Sequence, residues 1–158
     1  MSLVSEPPRQ AEWAPGFDII ARSLAVVSLT DLALVHVIDL PGTLGGTPLI
    51  GIGYFLVIAA ALAVSAVLMA RPHRIAWAAT GLLAAATGGG YILTRTVSGF
   101  LGDHDDVGNW RCSLGIAALS LEAVLVVLAV VQLARRPVPV PVRAHPIHNS
   151  HATYTSVR

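Results

Sequence analysis

Residues 54–70 read YFLVIAAALAVSAVLMA, a run with no charged side chain and no proline, and this run decides the fold class. As a helix it is apolar all the way round, which suits a membrane span and not a half-buried surface helix. About 20 such residues cross the hydrocarbon core of a bilayer, where a helix satisfies its own backbone N–H and C=O groups. Taken from Leu49 to Ala70, the segment reaches that length. The run EAVLVVLAVVQLA at 122–134 completes a second span of the same kind, from Cys112 to Ala134.

Two further spans follow, Phe17 to Asp39 and Ile75 to Val97. The last of these, rich in Ala, Gly and Thr, has modest helical propensity but no water-seeking side chain before Arg95. The expectation is therefore an all-α, integral membrane four-helix bundle. A polar N-terminal segment (1–16) precedes the transmembrane domain (17–134), and a Pro/His-rich disordered tail (135–158) follows it. Composition agrees: 54% of the 158 residues are hydrophobic, 12% are charged and mean hydropathy is +0.70, far from the soluble-domain norm. All ten basic residues are arginine, as in proteins from GC-rich genomes, and the single Cys112 excludes an intrachain disulfide or a multi-cysteine metal site.

Arginine placement gives an expected orientation. Arg9, Arg22, Arg71, Arg74, Arg135, Arg136 and Arg143 flank one side of the four spans, and cytoplasmic flanks retain positive charge. The opposite side receives DLPGTLGGTP (39–48) and SGFLGDHDDVGNWR (98–111), with Asp39, Asp103, Asp105 and Asp106 against Arg111. Both termini are thus expected to be cytoplasmic, opposite an acidic outer face. The opening MSLVSEPPRQAEWAPG lacks a basic n-region and reads as a polar segment, not a cleavable signal. Trp13, Trp77 and Trp110 fall near the expected membrane boundaries.

The stretch TDLALVHVID (30–39) sets the functional question, because a charge at mid-bilayer costs roughly 2.5–3.5 kcal/mol unless it faces a partner or a cavity. At 1.5 Å per residue Asp31 lies about 13 Å below the outer boundary and Glu122 about 15 Å below it. Arg95 lies near that boundary, and its Cα–Cβ bond leans towards the midplane. Asp31, Arg95 and Glu122 are therefore expected to form a buried ionic network, with Tyr91 contributing a hydroxyl and one carboxyl holding a proton. The GGGY at 88–91 suggests a close helix–helix approach beside it.

His36 and Asp39, with His104 and Asp105 from GDHDD (102–106), offer an N/O donor set for a metal, against the plainer reading of a solvated acidic loop. A bis-histidine haem needs a second intramembrane histidine facing His36. The tail places His145, His148 and His151 three apart, as in a flexible chelating tract, against the plainer reading of a disordered tail with incidental histidines. The sequence requires no cofactor. It carries no Walker motif, GxSxG elbow, HExxH or Cys/His catalytic arrangement, so a non-enzymatic role is expected.

GYILTRTV (90–97), the acidic loop ending in DDVGNW (105–110) and SLGIAALSLEAVLVVLA (113–129) together resemble small four-helix integral membrane proteins of high-GC actinobacteria. The resemblance covers about residues 20–134 and rests most on Tyr91, Arg95, VGNW and Glu122. It implies a multi-pass protein of a bacterial plasma membrane and supplies no substrate. Three roles remain open from the sequence. The first is an accessory or homo-oligomeric component, with the lipid bilayer and membrane proteins as partners and no nucleic acid. The second is a small transport or sensing module taking a proton, ion or small ligand from the outer face. The third is a haem- or metal-binding redox partner using His36.

Overall fold

The computed structural model describes residues 14–135. The first thirteen residues and the Pro/His-rich tail, with its histidine tract, lie outside the described residues. Four helices follow one another: α1 (Ala14–Gly46), α2 (Pro48–Ala70), α3 (Arg74–Thr96) and α4 (Ser113–Ala134). All four are long and apolar enough to cross a membrane, and no strand occurs among the described residues. Each helix packs against its neighbours in a ring, α1 on α2 and α4, α3 on α4 and α2.

The first helix differs from its expected bounds. The segment 39–48, expected to be a loop, is helical up to Gly46, and the chain reverses at Thr47 alone. Pro48 explains the reversal point: a residue before proline is pushed out of helical geometry, and Thr47 sits at φ −133°, ψ 78°. Pro41 removes a backbone donor from inside α1, yet the helix persists because its end is held from the side. The Thr43 hydroxyl donates to the Asp39 carbonyl at 3.0 Å, and the Tyr54 hydroxyl donates to Asp39 Oδ2 at 3.1 Å. Leu44 fills the space above Gly51, where an added Cβ would come within 2.5 Å of Leu44 Cδ2. His36, Asp39 and Thr43 thereby share one continuous helical face, three to four residues apart.

The bundle is solid at one end and open at the other. Where α1 begins and α4 ends, small residues of α1 (Ala21, Ala25) let the helices close on Leu29, Leu68 and Leu125. Trp77, in the first turn of α3, turns inward and joins this core. Arg74 closes the end by donating to the carbonyls of Leu133 (2.7 Å) and Arg135 (3.2 Å), two acceptors that the end of α4 leaves free. Arg135 pairs with Asp18 at 2.8 Å and lies 3.8 Å over the Phe17 ring. The outward faces carry Ile20, Leu56, Met69 and Leu82, large apolar side chains that suit lipid and not water.

Leu125 is fully buried and Leu82 is 73% exposed, so their truncations separate packing from composition. In lipid nanodiscs, Leu125→Ala is predicted to cost about 2–5 kcal/mol of stability and Leu82→Ala less than about 0.5 kcal/mol. Equal thermal shifts for the two would contradict the packed half.

Candidate functional site

The open end encloses a cavity of about 610 Å³ between the α1–α2 and α3–α4 hairpins. Helical spacing puts its polar groups there: His36, Asp39 and Thr43 from α1, Tyr54 from α2, Thr87, Tyr91 and Arg95 from α3, and Glu122 from α4. Apolar residues such as Val57, Leu83 and Ala118 make up much of the remaining wall. The connection between α3 and α4, residues 97–112, covers one side of the mouth.

That connection is an ordered cap and not a loose acidic loop. Asp103 is buried, and its Oδ1 accepts the backbone N–H groups of Asp105 and Asp106, both at 3.2 Å. Gly108, at φ 79°, turns the chain so that its N–H donates to the Arg95 carbonyl at 3.0 Å, an acceptor exposed by the end of α3. Asn109 Nδ2 donates to Asp106 Oδ1 at 3.1 Å and so orients the carboxylate. Asp106 Oδ2 then meets Arg95 Nη1 at 2.8 Å. Arg95 is 7% exposed and Asp106 41%, so this pair sits at the boundary between bundle and cap.

The same guanidinium lies 4.6 Å from the Tyr91 ring centre, and Trp110 meets that ring edge-on at 6.2 Å. Tyr91 occupies the space above Gly115, where any Cβ would collide with its ring. Tyr91, Arg95, Asn109, Trp110 and Gly115 therefore form one interlocked unit, which gives the VGNW sequence a physical role. The Tyr91 hydroxyl and Arg95 Nε are both buried without a hydrogen-bond partner.

The expected ionic network is corrected in two respects. Asp31 is exposed on the outward face of α1 and does not border the cavity, so it joins neither Arg95 nor Glu122. Arg95 is answered by Asp106 of the cap and makes no salt bridge with Glu122. Glu122 does point into the bundle, 3% exposed, and its Oε2 has no hydrogen-bond partner. Gly88 makes room for it: an added Cβ there would fall 2.9 Å from Oε2, so part of the GGGY stretch accommodates a carboxylate. The neighbouring Thr87 hydroxyl lies 3.0 and 3.1 Å from the Leu83 and Ala84 carbonyls and is also a hydrogen-bonding neighbour of the Glu122 carboxyl, leaving Oε2 as the oxygen without a partner.

His36 Nδ1 lies 2.8 Å from the Leu32 carbonyl, which can only accept, so Nδ1 carries a proton and, in the neutral ring, Nε2 is the acceptor. Its ring meets Tyr54 edge-on at 4.7 Å. His36, Asp39, His104 and Asp105 all border the cavity. They do not converge: among the described residues no three His, Cys, Asp or Glu side chains gather as a metal would need. His104 instead lies 3.4 Å from the Ser98 hydroxyl.

Sequence reasoning missed Asp106 as the partner of Arg95, Asn109 as the group that orients Asp106, and Tyr54 as the partner of Asp39. The available signal was proximity, since Arg95 ends α3 just before the cap that carries DDVGN. No protein-family model matches this chain, and neither does any curated protein or solved structure.

A double-mutant cycle on Arg95→Ala and Asp106→Ala is predicted to give a coupling of about 0.5–3 kcal/mol in thermal or denaturant unfolding. The cycle pairing Arg95→Ala with Asp31→Ala should close to within about 0.5 kcal/mol. The reverse pattern would restore the network expected from the sequence.

Proposed function

We propose that this chain is a multi-pass protein of a bacterial plasma membrane and that its open half is a vestibule for a small organic ligand. It acts by binding, as a small transport or sensing module, and not as an enzyme. The observation that carries this reading is Glu122: a carboxyl 3% exposed, with an unpartnered oxygen, inside a cavity of about 610 Å³. Leaving such a group without a partner is costly, and a cavity of this volume lies within the range of small-molecule sites. A purely structural network would have used Arg95 to answer Glu122, but Asp106 takes that charge. The third role open from the sequence, a metal or haem partner, has less support because no three His, Cys, Asp or Glu side chains gather among the described residues.

The vestibule opens at the end that carries Asp103, Asp105 and Asp106, whereas Arg71, Arg74 and Arg135 flank the opposite end. The preference of arginine for the cytoplasmic side supports an outward-facing mouth with both termini inside.

A second reading, of self-association, is carried by Asp31. It stands at the middle of the long α1 on a face with Leu34, Val27 and Ile38, all outward. A carboxyl facing lipid is unfavourable by roughly 2.5–3.5 kcal/mol, and a two-fold contact with a second copy would withdraw both Asp31 side chains from lipid.

Both readings are testable with cysteine variants in lipid bilayers and a Cys112→Ser background. A small water-soluble thiol reagent should label Ala118→Cys in the cavity and leave the outward Leu82→Cys unmodified; labelling of neither would remove the vestibule. Leu34→Cys should cross-link between copies well above the Leu82→Cys level, and Asp31→Leu should reduce it severalfold. Cross-linking at the control level would remove the dimer.

A further inference from the structure

We propose that the vestibule is built for an organic ammonium ion, with Glu122 as its charge partner; this rests on the vestibule reading above. Five carboxylates border the cavity (Asp39, Asp103, Asp105, Asp106 and Glu122) against the single guanidinium of Arg95, which favours positive ligands. Four have work or stand at the cap: Asp106 holds Arg95, Asp103 takes two backbone N–H groups, Asp39 takes the Tyr54 hydroxyl, and Asp105 is exposed. Glu122 alone is buried and unanswered at Oε2.

An anionic ligand would need a free cation on the wall, and Arg95 is committed to Asp106 and to the Tyr91 ring. A bare metal ion would need several converging donors, and no such trio is present among the described residues. An ammonium carrying N–H groups matches what is left. Glu122 supplies charge, while the Tyr91 hydroxyl and His36 Nε2 are further acceptors on the same cavity wall. The aliphatic wall, with Val57, Leu83 and Ala118, covers the hydrocarbon part of such a ligand. A buried carboxyl and a guest ammonium each remove the other's desolvation cost, and hydrogen bonds between charged groups are about twice as strong as neutral ones.

The test uses three ligands of one shape: adamantyl ammonium, adamantanol and adamantane carboxylate. Each is titrated into the full chain in lipid nanodiscs by calorimetry. The ammonium is expected to bind at least about tenfold more tightly than the other two, with most of that preference lost in Glu122→Gln and a smaller loss in Tyr91→Phe. Thermal melts of both variants establish that they fold. Equal or tighter binding of the alcohol or the carboxylate overturns the ammonium assignment and leaves the vestibule standing. Undiminished ammonium binding by a folded Glu122→Gln overturns the role of Glu122. If none of the three binds although Ala118→Cys is labelled, the ammonium inference alone falls; if that labelling also fails, both fall.

Discussion

The ion pair between Arg95 and Asp106 is the contact on which the open half of the bundle depends. It joins the end of α3 to the cap at 2.8 Å, and each partner is oriented by something else. Asn109 aims the carboxylate, and the Tyr91 ring lies beneath the guanidinium. Because the pair is internal to α3 and its own following connection, it forms without help from α1 or α2. It therefore settles the cap against α3 and α4 while the space towards α1 and α2 stays open. It also engages the one guanidinium that lines the cavity among the described residues, so Glu122 Oε2 keeps no partner there.

The rest of the fold divides the labour along the bundle axis. At the end where α1 begins, alanines allow tight approach, and Leu29, Leu68 and Leu125 fill the centre completely. At the other end glycines allow side chains, and not backbones, to approach: Gly88 admits Glu122, and Gly115 admits Tyr91. A packed floor below and a pinned cap above make the cavity a feature of stable elements. Preformed sites of this kind lose little entropy when a ligand arrives.

Much of this was legible in the sequence, and the failures have a common cause. Hydropathy and length identify four helices apolar enough to cross a membrane; Tyr91, Arg95 and Trp110 interlock at one end of the bundle, whereas Glu122 borders the same cavity without a salt bridge to Arg95. Rise per residue fixes the height of a side chain but not the direction it faces, and Asp31 was misplaced for that reason. At about 100° per residue, Asp31 and His36 point roughly 140° apart, so they cannot both face one cavity. The inward stripe of Ala21, Ala25, Ser28, Leu32 and His36 contains the information, since Asp31 falls outside its spacing. The extension of α1 past Pro41 was less accessible, because proline and glycines read locally as a loop. Contacts made on another helix, of Leu44 with Gly51 and of Asp39 with Tyr54, help to hold those residues helical, and the sequence does not display them locally. The partner of Arg95 escaped for a related reason: exposed acidic loops are ordinarily solvated, and only the turn around Asp103 and Gly108 brings Asp106 back to the bundle.

The most direct measurement is a set of dipolar recoupling distances by solid-state NMR in bilayers, from the ¹⁵N-labelled Arg95 guanidinium to the ¹³C-labelled side-chain carboxyl carbons of Asp106, Glu122 and Asp31. The structure predicts strong dephasing to Asp106, in keeping with the 2.8 Å Nη1–Oδ2 contact, and a far weaker effect at Asp31 and Glu122. Strong dephasing to Glu122 or Asp31 instead would mean that the guanidinium knits the bundle together, and the vestibule with its free carboxyl would not exist.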